Sequence, residues 1–274
     1  MEAEALSAGS AFDWDTISEE ELQAIEEACE IAEAASLKRK RTLPPSWGSS
    51  PCTLRPFKAV SPQVRYPVMN FGGCIVYSRT LAEVESATVQ LLKIIEAKRQ
   101  STDCISMGFD IEWRPIFKRG EVPRKAAVMQ ICVDSAYCFV MHIFHSGIPP
   151  LLQSLLEDDT LVKVGVCIAN DAKKILYDYN VHIRVLEDLS GLANRKLGEY
   201  AKKWSLSSLA EMLTSKQLEK PNNIRMGNWE ADELSTTQVK YAATDAYASW
   251  YLYQVLQSFP DATETLHETK KSDS

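Results

Sequence analysis

The chain has 274 residues, 45% of them hydrophobic, and a formal net charge of −7. That is enough apolar material for one sizeable core, or one domain with long flanks, and no run of about 18 apolar residues is present to cross a membrane as a helix. The seven cysteines contain no CxxC pair, which argues against a disulfide or zinc framework and for reduced, buried cysteines of an intracellular protein.

From the N-terminus, "MEAEALSAGSAFDWD" is acidic and lacks the basic start of a signal peptide and the arginine-rich character of a transit peptide. Residues 1–36 carry eleven acidic and no basic residues, so the rest of the chain stands at +4 (−7 less −11). An acidic arm is thus joined to a mildly basic body, which permits nucleic-acid binding without requiring it. Within the arm, Ser18 and Glu21 form a capping box, and Leu22, Ile25, Cys29 and Ala32 follow at helical spacing. This reads either as a short interaction helix or as a solvated one. Lys38, Arg39, Lys40 and Arg41 then form a compact basic cluster before Pro44 and Pro45. The cluster reads as a nuclear localisation signal, the alternative being a chance solvated patch, and it implies a nuclear protein with some cytoplasmic fraction. Residues 1–65 are expected to be a disordered acidic arm, 66–260 the folded domain and 261–274 a polar tail.

In the folded part, "CIVYS" predicts a strand and "TLAEVESATVQLLKIIEAKRQ" an amphipathic helix. "CISMGFDIEW", "AAVMQICV" and "AYCFVMHIF" are three apolar runs of strand length separated by turn-like stretches. After them come helix "PPLLQSLLED", strand "LVKVGVCI", helix "NDAKKILYDYN", a short strand-like "RVLEDL" and further helices. Consecutive strands followed by alternating helix and strand predict an α/β fold: a mixed sheet, antiparallel meander first and parallel strands after, with helices on both faces.

Asp110 and Glu112 interrupt an otherwise apolar strand. Alternation puts both on one face, where they repel unless protonated, paired with arginine or bound to a divalent metal; a strand end facing water is the alternative. Asp171 stands where a strand gives way to a helix, a place that also suits an N-cap. Tyr241 and Asp245 lie four apart on a strongly helical stretch and share a face. His142 and His145, three apart with no third ligand nearby, read as structural. Arg114, Lys118, Arg119, Arg124 and Lys125 fall in a basic stretch between two strands, either a loop that contacts phosphates or a solvated one.

The order Asp-x-Glu on a strand, Asp at a helix start and Tyr-x-x-x-Asp on a helix resembles the tyrosine-containing branch of the DEDD 3′→5′ exonucleases. More narrowly, "GFDIEWRP", "AAVMQICV", "VKVGVCIANDAKKIL", "WSLSSLAEMLTSKQLEK", "IRMGNW" and "YAATDAYAS" resemble the exonuclease domain of the Werner syndrome protein and its free-standing plant relatives, over about two-thirds of the chain. Two positions depart from that pattern: Glu233 where relatives commonly carry proline, and Lys173 where the animal relative has an aromatic residue.

The resemblance implies an RNase H-like fold and a metal-dependent 3′→5′ exonuclease acting on DNA ends, recessed or structured, in DNA repair. An RNA 3′ exonuclease of the ribonuclease D kind is the alternative, and a non-catalytic scaffold a third. It implies two divalent ions, Mg²⁺ or Mn²⁺, suited to oxygen ligands. In the family pattern Asp110 is shared by both ions, Glu112 and Asp245 hold the first, Asp171 serves the second, and Tyr241 hydrogen-bonds the attacking water. The backbone of Trp113, with Arg119 and Lys125, is expected to meet substrate; the Trp113 side chain itself is expected in the core. No helicase sequence follows, so the stand-alone form is expected; the resemblance implies a RecQ-type helicase in trans and the Ku heterodimer as partners.

Overall fold

A computed structural model describes residues 66–102, 104–116, 122–198 and 202–260. The capping box at Ser18 and Glu21, the basic cluster Lys38–Arg41, Lys118, Arg119 and the tail from 261 onward lie outside the described residues.

The first element is strand β1 (Cys74–Ser78), followed by helix α1 (Leu81–Arg99). Thr80 caps α1 and Glu83 closes a capping box, so the helix starts where the sequence supplies donors for its first amides. Strands β2 (Ile105–Trp113), β3 (Ala126–Cys132) and β4 (Tyr137–Met141) then form a meander, β3 antiparallel to both of its neighbours. Short helices α2 (Ile143–Ser146) and α3 (Pro150–Leu156) lead to β5 (Leu161–Gly165), α4 (Ile168–Tyr179) and β6 (Leu186–Asp188). Helices α5 (Leu189–Leu197), α6 (Leu206–Thr214), α7 (Asn222–Arg225) and the long α8 (Thr236–Gln257) complete the described part.

The six strands make one sheet in the order β1-β4-β3-β2-β5-β6. β5 runs parallel to β2, and β6 parallel to β5, so the meander passes into parallel strands as the sequence predicts. β1 returns to the far edge and pairs parallel with β4. One face of the sheet packs on α1, α3 and α4 through Val84, Leu91, Ile95, Phe109, Ile111, Leu152 and Ile175. The other carries α8, flanked by α5 and α6. α8 is buried along much of its length, because the sheet and the flanking helices enclose it.

Three local expectations are corrected. The run "AYCFVMHIF" leaves the strand at Met141, because buried His142 turns its ring to the Trp229 carbonyl and Ile143 begins a helical turn. "LVKVGVCI" stops at Gly165, since Cys167 takes a left-handed φ of 57° and Ile168 already starts α4. Of the described cysteines only Cys132 and Cys138 are buried; Cys74, Cys104 and Cys167 are exposed.

Candidate active site

Strand β2 carries two chemistries on its two faces. Phe109 and Ile111 point into the apolar core against α1, while Asp110 and Glu112 point toward α8. The glycine just before them sets how close α8 comes. A Cβ on Gly108 would lie 2.0 Å from the Ala246 carbonyl oxygen and 2.7 Å from the Trp250 amide. The helix backbone therefore rests on the strand backbone, and only glycine leaves room for it. Asp245, one residue before that contact, is brought beside Asp110 as a result. Each of Asp110, Glu112 and Asp245 offers a carboxylate oxygen, and the three oxygens lie within 4.8 Å of one another.

Such crowding has an electrostatic cost that the ionisation behaviour records. Burial, and then the charge of Asp245, push Asp110 up to about 7; Lys220 and the Ile111 amide act the other way. Glu112, only 8% exposed, is raised well above the ordinary range, first by burial and then by Asp110 and Asp245. The Lys220 ammonium lies 3.8 Å from Asp245 Oδ2 and offsets part of this negative charge. Three hard oxygen donors that resist ionising together fit a divalent ion of the magnesium or manganese type. They offer no soft ligand for a thiophilic metal.

Asp171 sits in the first turn of α4. Cys167 occupies the N-cap, so Asp171 is not the helix cap that its position in the sequence allows. It stands outside the 4.8 Å group, yet its charge still raises Glu112. Tyr241 is 8% exposed, one helical turn before Asp245 on α8, and its phenol feels the charges of Asp245, Glu112 and Asp110. Burial, followed by the nearby carboxylates, drives its phenol far above the usual tyrosine range, so the hydroxyl keeps its proton at any physiological pH.

The loop before α8 is tied down by the two histidines. His142 Nε2 faces the Trp229 carbonyl at 2.9 Å, which can only accept, so Nε2 carries the proton. Nδ1 then accepts from the Tyr77 hydroxyl at 3.0 Å, and that hydroxyl in turn accepts from the Leu234 amide. His145 Nε2 meets the Ala231 carbonyl at 2.9 Å. Burial lowers His142 to about 4, keeping it neutral in this role. The structural reading of both residues accords with these bonds. "IRMGNW" belongs to the same device: Trp229 is fully buried, donates from Nε1 to the Arg225 carbonyl, and its ring centroid lies 6.2 Å from that of Tyr241.

Trp113 packs its half-buried ring against the apolar core, with Lys174 Nζ 5.1 Å from the ring centroid. Exposed Lys125 lines a cleft of about 420 Å³ with Val122, Pro123, Arg124, Phe144 and Glu230. Arg114 and Arg124 both reach Glu230, at 3.6 and 3.7 Å. Glu233 lies exposed in the loop before α8, and Lys173 half-buried on α4. The sequence reading missed Gly108 and Lys220. A glycine inside an apolar strand is a visible signal of close approach; a lysine 25 positions before Asp245 carries no local one.

A profile of the 3′-5′ exonuclease family matches residues 84–259. The chain is 57% identical over 197 residues to a 3′-5′ exonuclease of Arabidopsis thaliana, covering 72% of this chain and 68% of that protein. It is 36% identical over 236 residues to the bifunctional 3′-5′ exonuclease/ATP-dependent helicase WRN of Mus musculus, covering 85% of this chain but 16% of that protein. Among solved structures it is similar to the EXO domain of Aedes aegypti Nibbler, with a TM-score of 0.53 at 18% identity, over 67% of this chain and 87% of that one. At that identity the likeness speaks for the fold, an RNase H-like α/β domain.

Proposed function

The chain belongs to the 3′-5′ exonuclease family, and from that premise we propose that it removes nucleotides stepwise from the 3′ ends of DNA, recessed or structured duplex ends included. The observation that carries this reading is the cluster of Asp110, Glu112 and Asp245, with buried Tyr241 one helical turn before Asp245. In this reading Asp110, Glu112 and Asp245, with Asp171 beside them, would hold two divalent ions, Mg²⁺ or Mn²⁺. When bound, such ions acidify water and stabilise the oxygen that leaves the scissile phosphate.

The chain's own groups supply geometry. Tyr241, held protonated, directs its hydroxyl to the nucleophilic water and keeps it in line with the scissile bond. Packing against buried Trp229 holds the tyrosine ring in place. The Trp113 backbone, with Arg119 and Lys125, would guide the terminal nucleotide and the following phosphates. Sequence similarity to the Werner-type exonuclease, "IRMGNW" included, supports DNA. Discrimination against RNA depends on contacts to the 2′-hydroxyl, so an RNA substrate is the second reading.

The deciding experiment digests matched DNA and RNA oligonucleotides, labelled at the 5′ end, with Mg²⁺ or Mn²⁺ and then with EDTA. A ladder shortening from the 3′ end of DNA, stopped by EDTA, is expected. Activity that persists in EDTA, or product loss from the 5′ end, would sink the metal-dependent 3′→5′ reading; faster loss of RNA would transfer the substrate to the second one. Nuclear import through Lys38–Arg41 belongs to the same proposal, as do a helicase acting in trans and the Ku heterodimer as partners. Replacing the four basic residues by alanine in a large fluorescent fusion is expected to abolish nuclear accumulation; unchanged accumulation would discard the signal.

A further inference from the structure

β3 is apolar from end to end except at Gln130, and that side chain is fully buried. Neither its Nε2 nor its Oε1 has a hydrogen-bond partner among the described residues. An orphaned buried polar group destabilises the fold, because it gives up its bonds to water and gains none in return. A methionine of similar length would fill the space without that cost. A primary amide in this place is therefore a penalty to the fold, and the register shows what it stands next to.

Gln130 pairs directly with Asp110 across β2 and β3, and with Val140 across β3 and β4. Residues directly opposite in an antiparallel pair share a face, with Cβ atoms about 4.5–5.5 Å apart. The amide thus lies with Asp110 on the face under α8. Its other surroundings there are apolar: Val128, Cys132 and Val140 from the sheet, and Ala242, Ala243 and Ala246 from the helix. The alanine methyls leave room for a long side chain beneath the helix and offer it nothing to bond.

We propose that Gln130 is a positioning residue for Asp110, donating an amide N–H to that carboxylate when it is ionised and holding a divalent ion. The proposal rests on the exonuclease reading of the acidic cluster. A carboxylate has about four lone-pair positions, so one shared between ions still has one to accept a hydrogen bond. The chemistry favours an amide over a lysine here. A neutral donor fixes the rotamer without placing a second positive charge against the cation. Losing such a partner of a ligand carboxylate typically weakens metal affinity or activity by about 10–100-fold.

The test is Gln130→Met, with Gln130→Leu as a second variant in case the first folds poorly and Gln130→Asn as the variant that keeps an amide. Free Mn²⁺ is read by electron paramagnetic resonance during titration of the full chain, beside single-turnover rates on a 5′-labelled oligonucleotide and the melting temperature without metal. The expected result is separation: metal-free stability equal to or above wild type, Mn²⁺ affinity and turnover down about 10–100-fold, and part of that loss recovered in Gln130→Asn. Wild-type affinity and rate in both Gln130→Met and Gln130→Leu would overturn the role. So would a loss of rate that merely tracks a fall in metal-free stability. A wild-type protein that neither binds Mn²⁺ nor cuts would instead overturn the exonuclease reading of the cluster, which separates the two failures.

Discussion

The two faces of strand β2 differ by one residue's offset and obey opposite rules. Toward α1, Phe109 and Ile111 are 1% and 3% exposed and pack among aliphatic side chains. Toward α8, Asp110 and Glu112 are held against Asp245, with raised proton affinities. The first face lowers the energy of the fold, and the second raises it. Stability and chemistry are thus separated by the pleat of a single strand, and substitutions on adjacent residues should separate them too.

The largest effect is expected from setting Asp110→Ala beside Ile111→Ala. Removing Asp110 takes away the carboxylate shared by the cluster, so hydrolysis should become undetectable. The metal-free fold should keep or gain stability, because a like charge is removed from a crowded site. Ile111→Ala leaves a cavity in the opposite core and should cost about 2–5 kcal/mol, with turnover per folded molecule close to wild type. Melting curves and single-turnover rates on both variants check this. Near-normal hydrolysis by Asp110→Ala would move the chemistry elsewhere.

Gly108→Ala joins the two faces instead of separating them. The added methyl meets backbone, which cannot rotate away as a side chain can. α8 must lift from β2, with an overpacking cost of about 1–3 kcal/mol or more. Asp245 and Tyr241 ride on that helix, so activity should fall even in the molecules that remain folded. A displacement of 1 Å from productive geometry can cost about 10²-fold in rate. Full activity in a destabilised Gly108→Ala protein would show that helix height does not set the site.

Tyr241→Phe tests the α8 side alone. The ring that packs near Trp229 stays and only the hydroxyl leaves. Mn²⁺ affinity should persist while the single-turnover rate drops about 10²–10⁴-fold, the scale of a positioned proton-handling group. An unchanged rate would remove the hydroxyl from the reaction, and lost metal affinity would make its part structural.

What the sequence discloses follows from how local each signal is. Asp110 and Glu112 declare themselves because alternation within one strand is enough to pair them, and Tyr241 and Asp245 because one helical turn does the same. The strand "CIVYS" coincides with β1, but nothing in those five residues says that it returns to the far edge beside β4. The end of β4 at Met141 depends on a carbonyl at Trp229, 87 positions from the His142 that reaches it. Lys220 and Gln130 are of the same kind. Their surroundings arise only when separate elements meet, and neither stands at a spacing that marks it.

The smallest effect concerns pH, and two groups with opposite signs have to be told apart. Asp110 binds its proton more tightly folded, at about 7, than in the unfolded chain, where a carboxyl near 3.8 is already ionised. Between those values the folded state holds more protons, so this group's contribution is present at low pH and is lost as pH rises through about 7. Glu112, raised for the same reasons, acts in the same direction. His142 works against them. Burial lowers it to about 4, so the unfolded chain takes up its proton first and stability falls as pH drops from about 6.5 toward 4. A melting curve of the wild type alone mixes both effects. Asp110→Asn keeps the shape of the neutral side chain and removes its titration, so the difference between wild type and variant isolates Asp110. Without metal, wild type should lose stability relative to Asp110→Asn between pH 5 and 7.5, by roughly a few degrees of melting temperature. With Mn²⁺ the sign should reverse, because the ion requires the deprotonated carboxylate and binds better as pH rises. A difference that stays flat with pH in both conditions would mean that Asp110 is already ionised in the folded protein, and that the cation it meets there, Lys220 included, is enough to keep it so.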